Sequence, residues 1–256
     1  MEKNAQAGVA NVSPAFSLMP LEEAVHSLAL DNLLRAVSDP ALTADLALSL
    51  LARADLPGEV IEELARNRAV TKQRKVKIAL ASHPRAPRPV SVPLVRQFST
   101  FDLTKVALSP VVPADVKRIA DETLIARLKT TTLGERMTLA RQASGRIAGE
   151  LLLDGEPRVM STALENTRLT EVSVVQAVLK PNAGAALIQA VAHHAKWSCR
   201  RDVHVALLRT EHLSLARALA FAQEIPPRRL EEILHSSRLP TEIKRQLLEQ
   251  AANRKR

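Results

Sequence analysis

The sequence predicts an all-α fold, and more narrowly a right-handed α-solenoid of stacked helix pairs with about 28 residues per unit. Three observations lead there: a composition rich in helix formers, a recurrent Pro-x-x-Pro-x-x-Val string, and amphipathic segments flanking each copy of it. The chain has 256 residues, with only seven Gly, four Phe, one Trp and no Tyr. Pleated surfaces draw on aromatic and β-branched side chains, whereas the Ala and Leu that abound here favour helices.

The recurrent string is clearest in "HPRAPRPV" (83–90) and "SPVVPADV" (109–116). The same frame fits "RADLPGEV" (53–60), "ENTRLTEV" (165–172), "KWSCRRDV" (196–203) and "QEIPPRRL" (223–230), with a degenerate copy, "RQASGRI", at 141–147. Anchored on the second Pro position, the copies fall at Pro57, Pro87, Pro113, Ser144, Leu169, Arg200 and Pro227. Anchors two apart are separated by 56, 57, 56, 56 and 58 residues. That regularity sets the unit length.

Taken in order, residues 1–19 read as a disordered leader and residues 20–253 as one solenoid domain. Two N-terminal capping helices are expected over 20–53, in "LEEAVHSLALDNLLRAVS" and "PALTADLALSLLAR". The repeats follow over 54–238. Each opens with a Pro placed at the first helical position, where its fixed φ suits a helix and its missing N–H is not needed. In "LPGEVIEELARN" the apolar Val60, Ile61 and Leu64 then share one face, and Glu59 sits where the helix dipole favours an anion. Asp115, Glu171 and Asp202 hold the same place in alternate units. A second amphipathic segment closes each unit: "KQRKVKIALAS", "LTKVALS", "GERMTLARQA", "PRVMSTALEN", "AALIQAVAHH" and "SLARALAFAQ". A last helix is expected over 240–253, and 254–256 form a basic tail.

Helix pairs of this kind cannot bury an apolar face alone, so stacking is required. On "HPRAPRPV" and "SPVVPADV" the chain resembles the HEAT-like α-solenoids, and more closely their leucine-rich-repeat-variant type. The resemblance implies architecture and carries no function of its own. Some members of the variant type carry an iron–sulfur cluster on several Cys; this chain has one Cys, so that property is not carried over, and no cofactor is expected.

The stretch "HHAKWSCRRDVH" (193–204) contains the only Trp and the only Cys. His193, His194, Cys199, His204 and His212 could in principle serve a zinc ion, but their spacing matches no ligand pattern, and adjacent His residues point about 100° apart on a helix. No metal is expected. Cys199 beside Arg200 and Arg201 at a helix start has the setting of a lowered thiol pKa, without a placed base or pocket. Phosphate-loop and hydrolase motifs are absent as well, which leans against an enzyme and leaves the question open.

Net charge is +9. Arg88, Arg146, Arg200, Arg201, Arg228 and Arg229 all fall in the first turn of a first helix, with Lys117 and Arg118 one turn later. Cations there oppose the helix dipole, so helix stability does not account for them. With Trp197 the six arginines form the candidate partner- or anion-binding set. The leading expectation is a cytoplasmic, non-catalytic scaffold for an unknown protein partner. The alternative is a solenoid that grips duplex DNA by its backbone, resembling the HEAT-like DNA glycosylases. No apolar run approaches the length needed to cross a bilayer, so no membrane partner is expected.

Overall fold

A computed structural model of the chain describes residues 19–254. The leader expected over 1–19 and the tail over 254–256 therefore lie, but for Met19 and Arg254, outside the described residues. Eighteen α-helices and one 3-10 turn make up the fold, with no strand among the described residues. No described helix is long and apolar enough to cross a membrane.

Contacts divide the chain into two compact units, one ending at Val90 and the other starting at Ser91. The continuous repeat frame contains no sign of that division. The first unit holds α1 (Leu21–Ala24), α2 (Leu30–Ser38), α3 (Ala44–Leu51), α4 (Gly58–Arg66), α5 (Arg68–Thr71) and α6 (Arg74–Ser82). In it α2 packs on α4, and α3 on α6. The division falls within α7 (Arg88–Gln97).

The second unit continues with α8 (Thr100–Leu108), α9 (Ala114–Arg127), α10 (Leu133–Gln142), α11 (Gly145–Leu151), α12 (Pro157–Leu164) and α13 (Glu171–Leu179). It ends with α14 (Ala185–His193), α15 (Arg201–Leu207), α16 (Leu215–Gln223), α17 (Pro227–His235) and α18 (Thr241–Asn253). Helices α9, α11, α13 and α15 pack in succession, as do α10, α12 and α14. From α9 to α15 each helix thus meets the next but one.

Two local expectations are corrected. The first capping stretch is broken between α1 and α2, because the Ser27 hydroxyl accepts the Ala29 N–H (3.1 Å) and offers the backbone a turn in place of a helix. The link prolines Pro57, Pro113 and Pro240 sit at the N-cap, with φ between −61° and −53°, and the helix starts one residue later. At α17 both positions are Pro, with Pro226 capping and Pro227 first in the helix. Before most of these caps stands a buried apolar residue: Leu42, Leu56, Val112, Ala143, Leu169, Ile225 and Leu239. That residue anchors the link to the core and fixes the angle at which the helix leaves it.

Helix C-termini present carbonyls with no partner in their own helix. Here side chains from about one unit further along the chain satisfy several of them. Asn67 donates to Val37 O (2.8 Å), Asn166 to Ala140 O (2.8 Å) and Ser237 to Leu208 O (2.6 Å), across 30, 26 and 29 residues. Each also accepts the N–H two residues on, from Ala69, Arg168 and Leu239. His83 does the same: its Nδ1 accepts from Arg85 N–H, so Nε2 carries the proton and donates to Arg53 O at 2.8 Å. One side chain therefore shapes its own link and ties it to the previous one.

Candidate functional site

The link from α14 to α15 contains the stretch with the only Trp and Cys. His193 closes α14, and His194 is its C-cap, with Nδ1 accepting the Lys196 N–H and Nε2 3.1 Å from the Glu165 carboxylate. Trp197, expected at a partner surface, lies in the core at 2% exposure. Its indole N–H donates to Leu164 O (3.0 Å), and the Lys196 ammonium covers the ring at 4.1 Å from its centre. The reason is local: Cys199, in the place before the N-cap that other links fill with a buried apolar residue, is exposed. Trp197 fills the core in its stead.

The Cys199 thiol faces the carbonyls of Lys196 (3.2 Å) and Ala195 (3.7 Å). His204 is buried; Nε2 lies 2.5 Å from Ser198 O, Nδ1 lies 3.3 Å from the Glu224 carboxylate, and the ring stacks on Phe221 at 4.1 Å. Both nitrogens are thus directed away from thiol chemistry. No group of three or more His, Cys, Asp and Glu able to hold a metal occurs among the described residues.

The six candidate arginines are all exposed. Arg88 starts α7, and Arg146 reaches Glu122 of α9 at 3.5 Å. Arg229 pairs with Glu232 at 2.6 Å, while Arg200, Arg201 and Arg228 form no ion pair among the described residues. The first turns of every second helix carry both signs: Asp115 on α9, Arg146 on α11, Glu171 on α13, Arg201 with Asp202 on α15, then Arg228 and Arg229 on α17. Acidic residues interrupt the expected ridge of Arg.

One acidic residue of α9, Asp121, is buried. Ser144 Oγ, the N-cap of α11, donates to its carboxylate at 2.8 Å. Burial nevertheless pushes the Asp121 carboxyl above its usual range, against the pull of the Ser144 bond and of nearby Arg146.

A feature the repeat frame does not reveal lies between α13 and α15. The core face of α13 carries Val174, Ala177 and Val178. Well round the helix, at positions i, i+3 and i+7, Val172, Val175 and Leu179 form a second apolar stripe. Val172 is 65% exposed and Leu179 37%. Together with Val205 and Ala206 of α15 they line an open groove of about 320 Å³. Glu171 and Asp202 stand at the end where both helices begin, and Arg209 at the other, just beyond α15. Arg209 Nε is shielded from solvent and has no hydrogen-bond partner. Its signal in the sequence is "EVSVVQAVL", where the apolar residues outnumber what one buried face can take, whereas the Pro frame marks only helix starts.

No protein family, no curated protein and no solved structure matches this chain.

Proposed function

We propose that this chain is a non-catalytic protein-interaction scaffold of HEAT-like repeat type, its helix pairs stacked as an α-solenoid. Two observations support the architecture. Alternate helices pack on one another, and buried or half-buried polar side chains tie helix ends 26 to 30 residues apart, close to the repeat length read from the Pro anchors. The observation that carries the function is the groove between α13 and α15. A helix whose only task is to cover the core has no use for Val172, which stays 65% exposed, on its outer side. Such a stripe suits a polypeptide that covers it. A cytoplasmic location goes with this reading, since the exposed Cys199 thiol is of the kind that oxidising compartments convert to disulfides.

The test is affinity capture from the native cell extract with the tagged chain as bait. A protein retained at comparable stoichiometry after a wash at physiological salt is the expected result. Recovery of no protein above the level of an untagged control sinks the scaffold reading.

A second reading, backbone binding to duplex DNA, has its own observation: Arg200, Arg201 and Arg228 are exposed and form no ion pair among the described residues. Its measure is affinity for a labelled duplex across a salt series, where each phosphate contact adds about 0.9 to the log–log slope. Replacing Arg200, Arg201, Arg228 and Arg229 together should flatten that slope. Absence of binding at low salt removes this reading.

A further inference from the structure

Resting on the scaffold reading, we infer that the groove between α13 and α15 receives one amphipathic helix of a partner protein, lying antiparallel to α13. The short links on either side of α14 reverse the chain twice, so α13 and α15 run in the same direction. Both helices therefore begin at one end of the groove and finish at the other. The carboxylates of Glu171 and Asp202 mark the first end, and the Arg209 guanidinium marks the second. Between them lies an apolar floor in which Val172, Val175 and Leu179 are spaced as one stripe of a helix.

A docked helix fits such a floor with apolar anchors at i, i+3, i+4 and i+7. Its direction follows from charge. Helices carry acidic residues preferentially in the first turn and basic residues in the last, because each complements the macrodipole. A helix built that way meets Arg209 with its acidic start, and Glu171 and Asp202 with its basic finish, only when it runs antiparallel to α13. The opposite direction sets carboxylate against carboxylate at one end and cation against cation at the other. Like charges across an interface are costly enough to exclude that orientation. The Arg209 guanidinium, at the far end of the groove, then faces the partner's first-turn carboxylates.

The probe is a pair of synthetic 16-residue helical peptides with the same Leu anchors. One has Glu in its first turn and Lys in its last; the other has the two exchanged. Fluorescence anisotropy with the full chain should show the acid-first peptide binding about tenfold tighter or more. Val172→Glu with Leu179→Glu should abolish that binding; both positions are exposed, and circular dichroism checks that the fold is retained. A triple charge exchange, Glu171→Lys, Asp202→Lys and Arg209→Glu, should reverse the preference between the peptides. Equal binding of the two, no binding of either, or indifference to the Val172 and Leu179 substitutions overturns the proposal. So does self-association of the chain, seen by sedimentation, that the same double variant removes, because the occupant is then a second copy. Affinity capture repeated with the double variant separates the two levels: a partner retained equally by both baits overturns the groove and leaves the scaffold standing, whereas no partner for either bait removes the scaffold.

Discussion

Helices α13 and α17 have the same length and opposite outer faces. On α17, "PRRLEEILH", Leu230, Ile233 and Leu234 are buried, while Arg228, Arg229, Glu231, Glu232 and His235 are turned to solvent. On α13, "EVSVVQAVL", the same kind of core stripe is backed by Val172, Val175 and Leu179. One apolar stripe is explained by the core it covers. A second has no such explanation inside the fold, and on the proposed reading that leftover surface sets a binding helix apart from one that only supports.

Substitutions can break or sharpen that contrast. The largest effect is expected where the two helices are alike, in the core. Leu230→Ala on α17 should destabilise by about 3 kcal/mol and Val174→Ala on α13 by about 2 kcal/mol, read by urea unfolding. Next comes the support of α13. The Cβ of an Ala at Gly145 would stand 2.2 Å from Arg168 O, in the link that leads into α13. The contact is with backbone, which cannot rotate away, so Gly145→Ala should cost about 2 kcal/mol and weaken peptide binding at the groove. A silent Gly145→Ala would mean that the α11–α13 approach is looser than the structure shows.

Smaller effects test the outer faces. Val172→Ser and Arg229→Ala should each change stability by less than about 0.5 kcal/mol, as surface changes do. Only Val172→Ser should affect a partner. If it costs as much stability as Val174→Ala, the second stripe belongs to the core and the contrast collapses.

The smallest effect is pH-dependent. The folded state holds the Asp121 proton more tightly than the unfolded chain, whose ordinary value is 3.8. That contribution is complete below 3.8 and is lost as pH rises through the higher folded value. At neutral pH the buried carboxylate is therefore a burden that Asp121→Asn relieves, because an amide still accepts the Ser144 bond. The variant should melt higher than the parent at pH 7, and the gap should close toward pH 3.5. A gap that widens on acidification reverses the sign of the argument.

Much of the helical pattern was legible from spacing alone. Pro57 and Pro113 mark helix starts because ring closure fixes φ whatever surrounds it. The buried set Val60, Ile61 and Leu64 follows from a period of 3.6 residues. Errors arose where the local rule and the neighbours disagreed. Pro lands at the N-cap and not one residue later because its extended ψ, 145° at Pro57, belongs to the link. Ser27 breaks a stretch whose apolar pattern reads as one helix. Of the six arginines Arg200 is the N-cap of α15 and the other five lie in first turns, but whether Arg146 is free or paired depends on Glu122, which lies 24 residues earlier and reaches it only through helix packing.

By itself the sequence determined which segments are helical and roughly where each begins, because those properties depend on propensity and on periodicity within a few residues. Tertiary structure decided which apolar residues are left uncovered. Trp197 went to the core and Val172 to the surface, and no rule of composition separates them. Burial is settled by what lies across the contact: for Trp197 that is Leu164, 33 residues away, and for Val172 it is solvent.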